Sequence, residues 1–213
     1  MRSLLLSSLL ACLIAPLPVL AQPTDFGQGT QVGRVEGIGP LTPEMARVYR
    51  SFRREARYFA AMAVNMDSGV AFWIQNFHDA GRARAGALEG CDVISLRKPG
   101  CAIYAVAMPE SLPIAQSRAT GLSEEAADAL ATVYTERRIP GTYAAFAISG
   151  ISHFGYADAE LTEADARDTA IAYCNRGLAA DMAELGPDGR RFARARGWDK
   201  CRVIDVQFTP PAN

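Results

Sequence analysis

Ala60-Ala61-Met62-Ala63-Val64, approached through Tyr58-Phe59, decides how this chain is read, because it returns as Ala144-Ala145-Phe146-Ala147-Ile148 behind Tyr143. Each run reads as a short apolar strand. The surroundings return with it. Counted back from Cys91 and Cys174, Phe72-Trp73 falls opposite Gly155-Tyr156, Arg84 opposite Arg167, and Ala87-Leu88 opposite Ala170-Ile171. Beyond the second cysteine of each half come Ala102-Ile103-Tyr104-Ala105-Val106 and Arg202-Val203-Ile204-Asp205-Val206. Self-similarity of this kind reads as an internal duplication.

Both halves predict the same element order. A helix leads, with Thr42 as cap and Pro43 at its first position in one half and Ser123 before Glu124-Glu125 in the other. Met45, Val48, Tyr49 and Phe52 make one apolar stripe, and Ala126, Leu130, Val133 and Tyr134 the other. Strands are expected at 59–64 and 143–149, then at 70–74 and 153–157. A second helix is expected from Asp79 to about Gly90 and from Thr162 to about Tyr173, and a last strand just after the second cysteine. The fold class is therefore α+β, with two pseudo-symmetric αββαβ repeats at 41–108 and 122–209. A Pro/Ser/Gly-bearing linker (109–121) joins them; a Gly-rich, loose arm (22–40) precedes them and a tail (210–213) follows. Three strands are few for an independent unit, so the halves are expected to pack as one.

The first 21 residues, MRSLLLSSLLACLIAPLPVLA, read as a secretory signal, with Arg2 as the basic end and Val19 and Ala21 as the small residues before cleavage at Gln22. Pro16 and Pro18 interrupt the segment as a membrane span. Leu9-Leu10-Ala11-Cys12 offers a lipoprotein box instead, which would strand Leu13 to Leu20 in the mature chain. A periplasmic or secreted protein is expected, with no span after signal removal. Four cysteines then remain in an oxidising compartment: Cys91, Cys101, Cys174 and Cys201. They allow three connectivities, and the repeat favours one disulfide per half, Cys91–Cys101 and Cys174–Cys201. No C-x-x-C is present, and the spacings are not those of a zinc knuckle. With 22 Lys+Arg against 23 Asp+Glu, the charge balance excludes a global field that recruits nucleic acid or an anionic membrane.

The segments Tyr58-Phe59-Ala60-Ala61-Met62-Ala63-Val64, Cys101-Ala102-Ile103-Tyr104, Phe146-Ala147-Ile148-Ser149, Gly155-Tyr156 and Cys201-Arg202-Val203-Ile204 carry a resemblance. Over roughly residues 41 to 208 the chain is similar to short secreted alphaproteobacterial proteins of unknown function commonly labelled "5-aminolevulic acid synthase". It also resembles a wider class of exported bacterial domains with an aromatic-Ala-Ala-x-Ala strand and two cysteines. The resemblance implies no catalytic residues. The label itself lacks chemical support: a pyridoxal-phosphate synthase needs a Schiff-base lysine and a phosphate cradle. Lys98 lies between two cysteines, Lys200 beside one, and the chain is too short for that fold. No cofactor or metal is expected.

Several clusters invite chemistry. Gly150-Ile151-Ser152-His153-Phe154-Gly155 approaches a nucleophile elbow with its second glycine one residue late, and reads as a turn between strands. Ser95-Leu96-Arg97-Lys98 matches S-x-x-K without the companion motifs of penicillin-recognising enzymes, and a solvated Ser95 is expected. His78, at a helix start beside Asp79, is an acid–base candidate. The stronger candidate is the long segment Asn175 to Lys200, read as a loop. Its end places Arg190, Arg191, Arg194 and Arg196 among Phe192 and Trp198, fit for an anionic or sugar ligand by bidentate contact and stacking. Arg47, Arg50, Arg54 and Arg57 form a second basic stripe at helical spacing. The expected function is a non-catalytic binding or accessory module of the envelope, with a periplasmic protein or anionic polymer as partner. The alternative is a small hydrolase using Ser152/His153 or His78.

Overall fold

Small side chains on alternate positions of a strand let a helix lie close against one face of a sheet, and that rule builds both halves. A computed structural model describes residues 26, 29–114 and 121–211 of the 213. The leader, Cys12 and linker residues 115–120 lie outside the described residues.

Strand β2 (Ala60–Asn65) is buried along its length. Ala61 and Ala63 share a core with Ala80, Ala83, Ala87 and Cys91 of α2 (Ala80–Ile94). The intervening Ala60, Met62 and Val64 share another with Met45 and Phe52 of α1 (Pro43–Glu55). In the second half Ala145 and Ala147 of β5 (Tyr143–Ile148) meet Ala166, Ala170 and Cys174 of α4 (Glu163–Glu184). Ala144, Phe146 and Ile148 turn the other way, towards α3 (Glu124–Ala129) and the π-helical turn Leu130–Tyr134 that continues it. Each helix of this set starts on a side-chain cap. Thr42, Asp79, Ser123 and Thr162 accept from the backbone N–H three residues on, at 3.3, 2.8, 3.3 and 3.1 Å.

The remaining strands are β1 (Thr30–Arg34), β3 (Val70–Ile74), β4 (Cys101–Pro109), β6 (Phe154–Glu160) and β7 (Arg202–Phe208), with α5 (Pro187–Ala195) before the last. They form two antiparallel sheets, ordered β1-β4-β2-β3 and β6-β5-β7. The fold is α+β with helices on both faces of each sheet, and the two halves share the order helix, strand, strand, helix, strand, with α5 inserted before the last strand of the second. They share an irregularity too. Met62 pairs with Ala105 but Ala63 with Ile103, leaving Tyr104 as the extra residue of a bulge. Phe146 pairs with Asp205 and Ala147 with Val203, leaving Ile204 at the corresponding place. One disulfide staples helix to strand in each half, Cys91–Cys101 and Cys174–Cys201, with Cα atoms 6.1 Å apart in both.

One pair of positions is exchanged between the halves. Phe72 on β3 lies over Gly90 of α2, where any Cβ would strike its ring. On β6 the glycine is on the strand instead: Gly155 lies against the α4 backbone at Ala170, Tyr173 and Cys174. Tyr173 occupies the helix position that Gly90 holds in α2.

Three expectations need correction. Residues 30–34 are not a loose arm but strand β1, antiparallel to β4 from Thr30↔Pro109 to Arg34↔Ala105. Neither Cys91 nor Cys174 ends its helix. The buried spacing Ala166, Ala170, Cys174, Leu178, Met182 continues through α4, so the helix runs on to Glu184. The segment 175–200 is accordingly the rest of α4 followed by α5, not a loop.

Candidate functional site

His78 sits where the two halves meet and is 3% exposed. Its Nδ1 accepts from the Ser123 N–H at 2.8 Å, so the ring proton is on Nε2, which donates to the His153 carbonyl at 3.2 Å. Its backbone N–H donates to Ile151 (2.9 Å) and its carbonyl accepts from Gly121 (2.9 Å). All four polar groups of one residue thus cross from the first half to the linker end and the second half. Burial pushes the His78 pKa down from 6.5 to about 4, opposed by the hydrogen bond to the His153 carbonyl, and the Arg82 and Arg202 charges push the same way as burial. With both ring nitrogens engaged, His78 has no lone pair left to take a proton from a substrate.

The Gly150–His153 segment is the expected turn. Ser149 Oγ accepts from Ile151 and His153 N–H at 3.1 and 3.0 Å, and Ser149 N–H donates to the His153 carbonyl at 2.8 Å. Ser152 contributes its carbonyl, which accepts from Ser123 Oγ at 3.3 Å. His153 Nε2 lies 2.6 Å from Asp181 Oδ2, close enough for an ion pair but out of line for a hydrogen bond. Ser95 is buried at 3%, contrary to the solvated serine expected: its hydroxyl donates to the Asp92 carbonyl at 3.1 Å inside the turn that the Cys91–Cys101 disulfide closes.

The cationic segment is split by its helix into an inner and an outer side. Inside, Trp198 is 6% exposed, packs edge-on against Phe77 and Phe192, and fills the space left by Gly150, whose Cβ would collide with the Trp198 backbone. Its ring, and much of Phe192, belong to the core shared with Ile151, Leu178, Met182 and Ala193, so Trp198 is not a stacking platform for a ligand. Outside, Arg190 Nη1 donates to the Leu185 carbonyl at the end of α4, and Arg196 lies 3.7 Å over the Phe192 ring. Asp188 is shared between Arg191 and Arg97, which reaches over from the Cys91–Cys101 turn and also holds Glu89 at 2.9 Å. Hydrogen bonds from these two arginines hold the Asp188 carboxyl below its ordinary range. The second stripe ends early. α1 stops at Glu55, so Arg57 is not on it, and Arg47 and Arg54 pair with Glu44 and Glu55.

No family model matches the chain, and neither a curated protein nor a solved structure is significantly similar to it. Among the described residues no helix is long and apolar enough to cross a membrane, and no group of three or more His, Cys, Asp or Glu is placed to hold a metal ion. Sequence reasoning singled out His78 for catalysis and missed its contacts across the two halves. The turn glycine Gly150, two residues from Ser152, was the available signal that something large packs there.

Proposed function

We propose that this chain is an exported, disulfide-stabilised binding or accessory module of the cell envelope, without catalytic activity of its own. We further assign it to the short secreted two-cysteine-repeat proteins that its segments resemble, as an internally duplicated αββαβ unit. The observation that carries the reading is the outer face of α5. Phe192 and Ala193 anchor the helix inward. Arg194 is left exposed with no ion-pair partner among the described residues, beside the exposed Arg191, which Asp188 partly neutralises, and Arg196, which follows the helix and lies over Phe192, on a scaffold fastened by the Cys174–Cys201 disulfide. Guanidinium groups held on a rigid helix suit carboxylate or phosphate groups, which they can grip with two parallel hydrogen bonds. The partner is an anionic envelope polymer or an acidic periplasmic protein surface. Two disulfides fit an oxidising compartment, and the leader reading of residues 1–21 supports export.

The test is the double charge reversal Arg191→Glu with Arg194→Glu. Both side chains are exposed, so the fold should be kept, as a thermal melt would report. Retention on immobilised anionic cell-envelope polysaccharide should disappear at low salt. A double variant that is retained as well as the parent chain would overturn the reading.

A further inference from the structure

Counted from Cys101 and Cys201, β4 and β7 correspond residue by residue, and their bulges at Tyr104 and Ile204 fall together. Yet β4 has a neighbour on both sides and β7 on one. In the first half β1 covers the outer edge of β4, with Val106 opposite Gly33 and Met108 opposite Gln31. In the second half the linker, 109–121, stands in the place of β1 in the sequence, but its end is tied elsewhere: the Gly121 N–H donates to the His78 carbonyl at 2.9 Å. Among the described residues nothing pairs with the outer edge of β7.

That edge is seven residues long. The Thr209 N–H donates to the Thr142 carbonyl at 3.0 Å, so Thr209 faces β5, and by the alternation of an antiparallel ladder Gln207 and Asp205 do too. Val206 and Phe208, the counterparts of Val106 and Met108, therefore turn their N–H and C=O groups outward. Beside them runs a groove of about 340 Å³, lined by Val203, Val206, Phe208 and Tyr143 and bounded by Glu163 and Arg167, which pair with each other at 2.8 Å. Phe208 is 48% exposed. Edge strands are usually blunted by charges or prolines. β6, at the other edge of this sheet, carries Asp158 and Glu160. β7 has a charge at its first position, Arg202, and its single carboxylate, Asp205, is held by Tyr134 and Gln207, both at 2.7 Å.

We propose that this edge is a dimer interface: two copies of the chain pair β7 against β7, antiparallel about a twofold axis at Val206, and join two three-stranded sheets into one of six strands. The strand is complementary to itself in this register. Val206 meets its own counterpart, Asp205 comes opposite Gln207 of the second copy, acceptor against donor, and no like charges face each other. Space allows it as well. In the first half a Cβ on Gly33, opposite Val106, would strike Ile114. In the second half the corresponding space is the groove, which has room for a valine. A second copy closes both exposed edges at once. The interface does not use the α5 arginines, so it stands apart from the reading above.

Sedimentation velocity of the mature chain with its disulfides intact should show a monomer–dimer equilibrium in the micromolar range, because two paired strands make a small interface. Amide hydrogen exchange followed by NMR ties the dimer to this edge. Val206 and Phe208 should exchange about tenfold or more slowly in a concentrated sample than in a dilute one, while Gln207, already bonded to β5, should not change. Val206→Lys brings two ammonium groups together at the axis, and Phe208→Asp puts a carboxylate into each groove; each should weaken dimerisation about tenfold or more. Phe208 is half-exposed, so Phe208→Asp should keep the parent's circular dichroism, and it carries the test even where Val206→Lys fails to fold. The proposal is overturned by a parent chain that stays monomeric throughout the micromolar range, which would leave the edge to a strand of another protein. A dimer in which Val206 and Phe208 exchange as fast as in the monomer overturns it too, as does a Phe208→Asp chain that dimerises like the parent.

Discussion

Acidification should unfasten the two halves through His78, and the size of the effect follows from its surroundings. In the native protein the ring is neutral, and protonating it puts a second N–H on Nδ1 directly against the Ser123 N–H that this nitrogen now accepts. The native pKa is accordingly down at about 4, against 6.5 for a free histidine. Between those values the unfolded chain binds a proton that the folded chain refuses. The contribution is therefore complete above pH 6.5, declines as the pH falls, and stops declining near pH 4, where the native ring titrates as well. A gap of this size corresponds to about 3 kcal/mol, and His78 is too buried for solvent to screen it. Urea denaturation of the parent chain and of His78→Gln at pH 7.5, 6.5, 5.5 and 4.5 measures it. Gln keeps a donor for the His153 carbonyl but has no proton to gain. Every other group titrates alike in both chains, so the parent should lose its advantage over the variant by about 2.5 kcal/mol across this range, most of the full gap. Parallel pH profiles for the two proteins would refute the reasoning. So would an imidazole NMR titration placing His78 at pH 6 or higher, a simple assignment with two histidines in the sequence.

Replacing Cys91 and Cys101 by serine should lower the urea-derived stability by about 3 kcal/mol, and replacing Cys174 and Cys201 by slightly more, because the second loop is longer. A loss below about 1 kcal/mol in either pair would contradict the loop-entropy account. Gly155→Ala should cost about 1–3 kcal/mol or more by driving a methyl into the α4 backbone. Gly39→Ala, where nothing lies within 4 Å, should stay within about 0.5 kcal/mol; equal midpoints for the two would remove the steric argument. Trp198→Ala should cost about 3–5 kcal/mol by emptying the core between the halves. Arg194→Glu, on the outer face of the same segment, should leave the melting temperature unchanged.

Much of this architecture was legible in the residues because the signals were local. The short apolar runs Ala60–Val64 and Ala144–Ile148, the caps Thr42, Ser123 and Thr162, and the matched placing of four cysteines need no knowledge of distant contacts. What escaped was non-local. Thr30-Gln31-Val32-Gly33-Arg34 has no strong alternation, and it becomes a strand because β4 offers it an edge. The continuation of α4 was written in the four-residue spacing from Ala166 to Met182, but reading Cys174 as a terminus hid it. Trp198 among arginines reads as a surface aromatic. Only its fit against Gly150 and Phe77 shows that it faces inward. The inward side of the predicted site was misread for that reason, and the outward placement of Arg191 and Arg194 rests on the helix α5, which the loop reading of 175–200 did not contain.

Two similar halves on one chain run a risk during folding: either helix could dock on the other's sheet, and either sheet cysteine could then oxidise with the wrong helix. The exchanged glycine and aromatic discourage both errors. On the second sheet, α2 would set Gly90 over Gly155 and leave a hole; on the first, α4 would bring Tyr173 down on Phe72. One mistake forfeits contact and the other creates a collision, so each helix fits its own sheet better than its counterpart's. The exchanged glycine and aromatic thus give each helix a steric reason to keep to its own sheet.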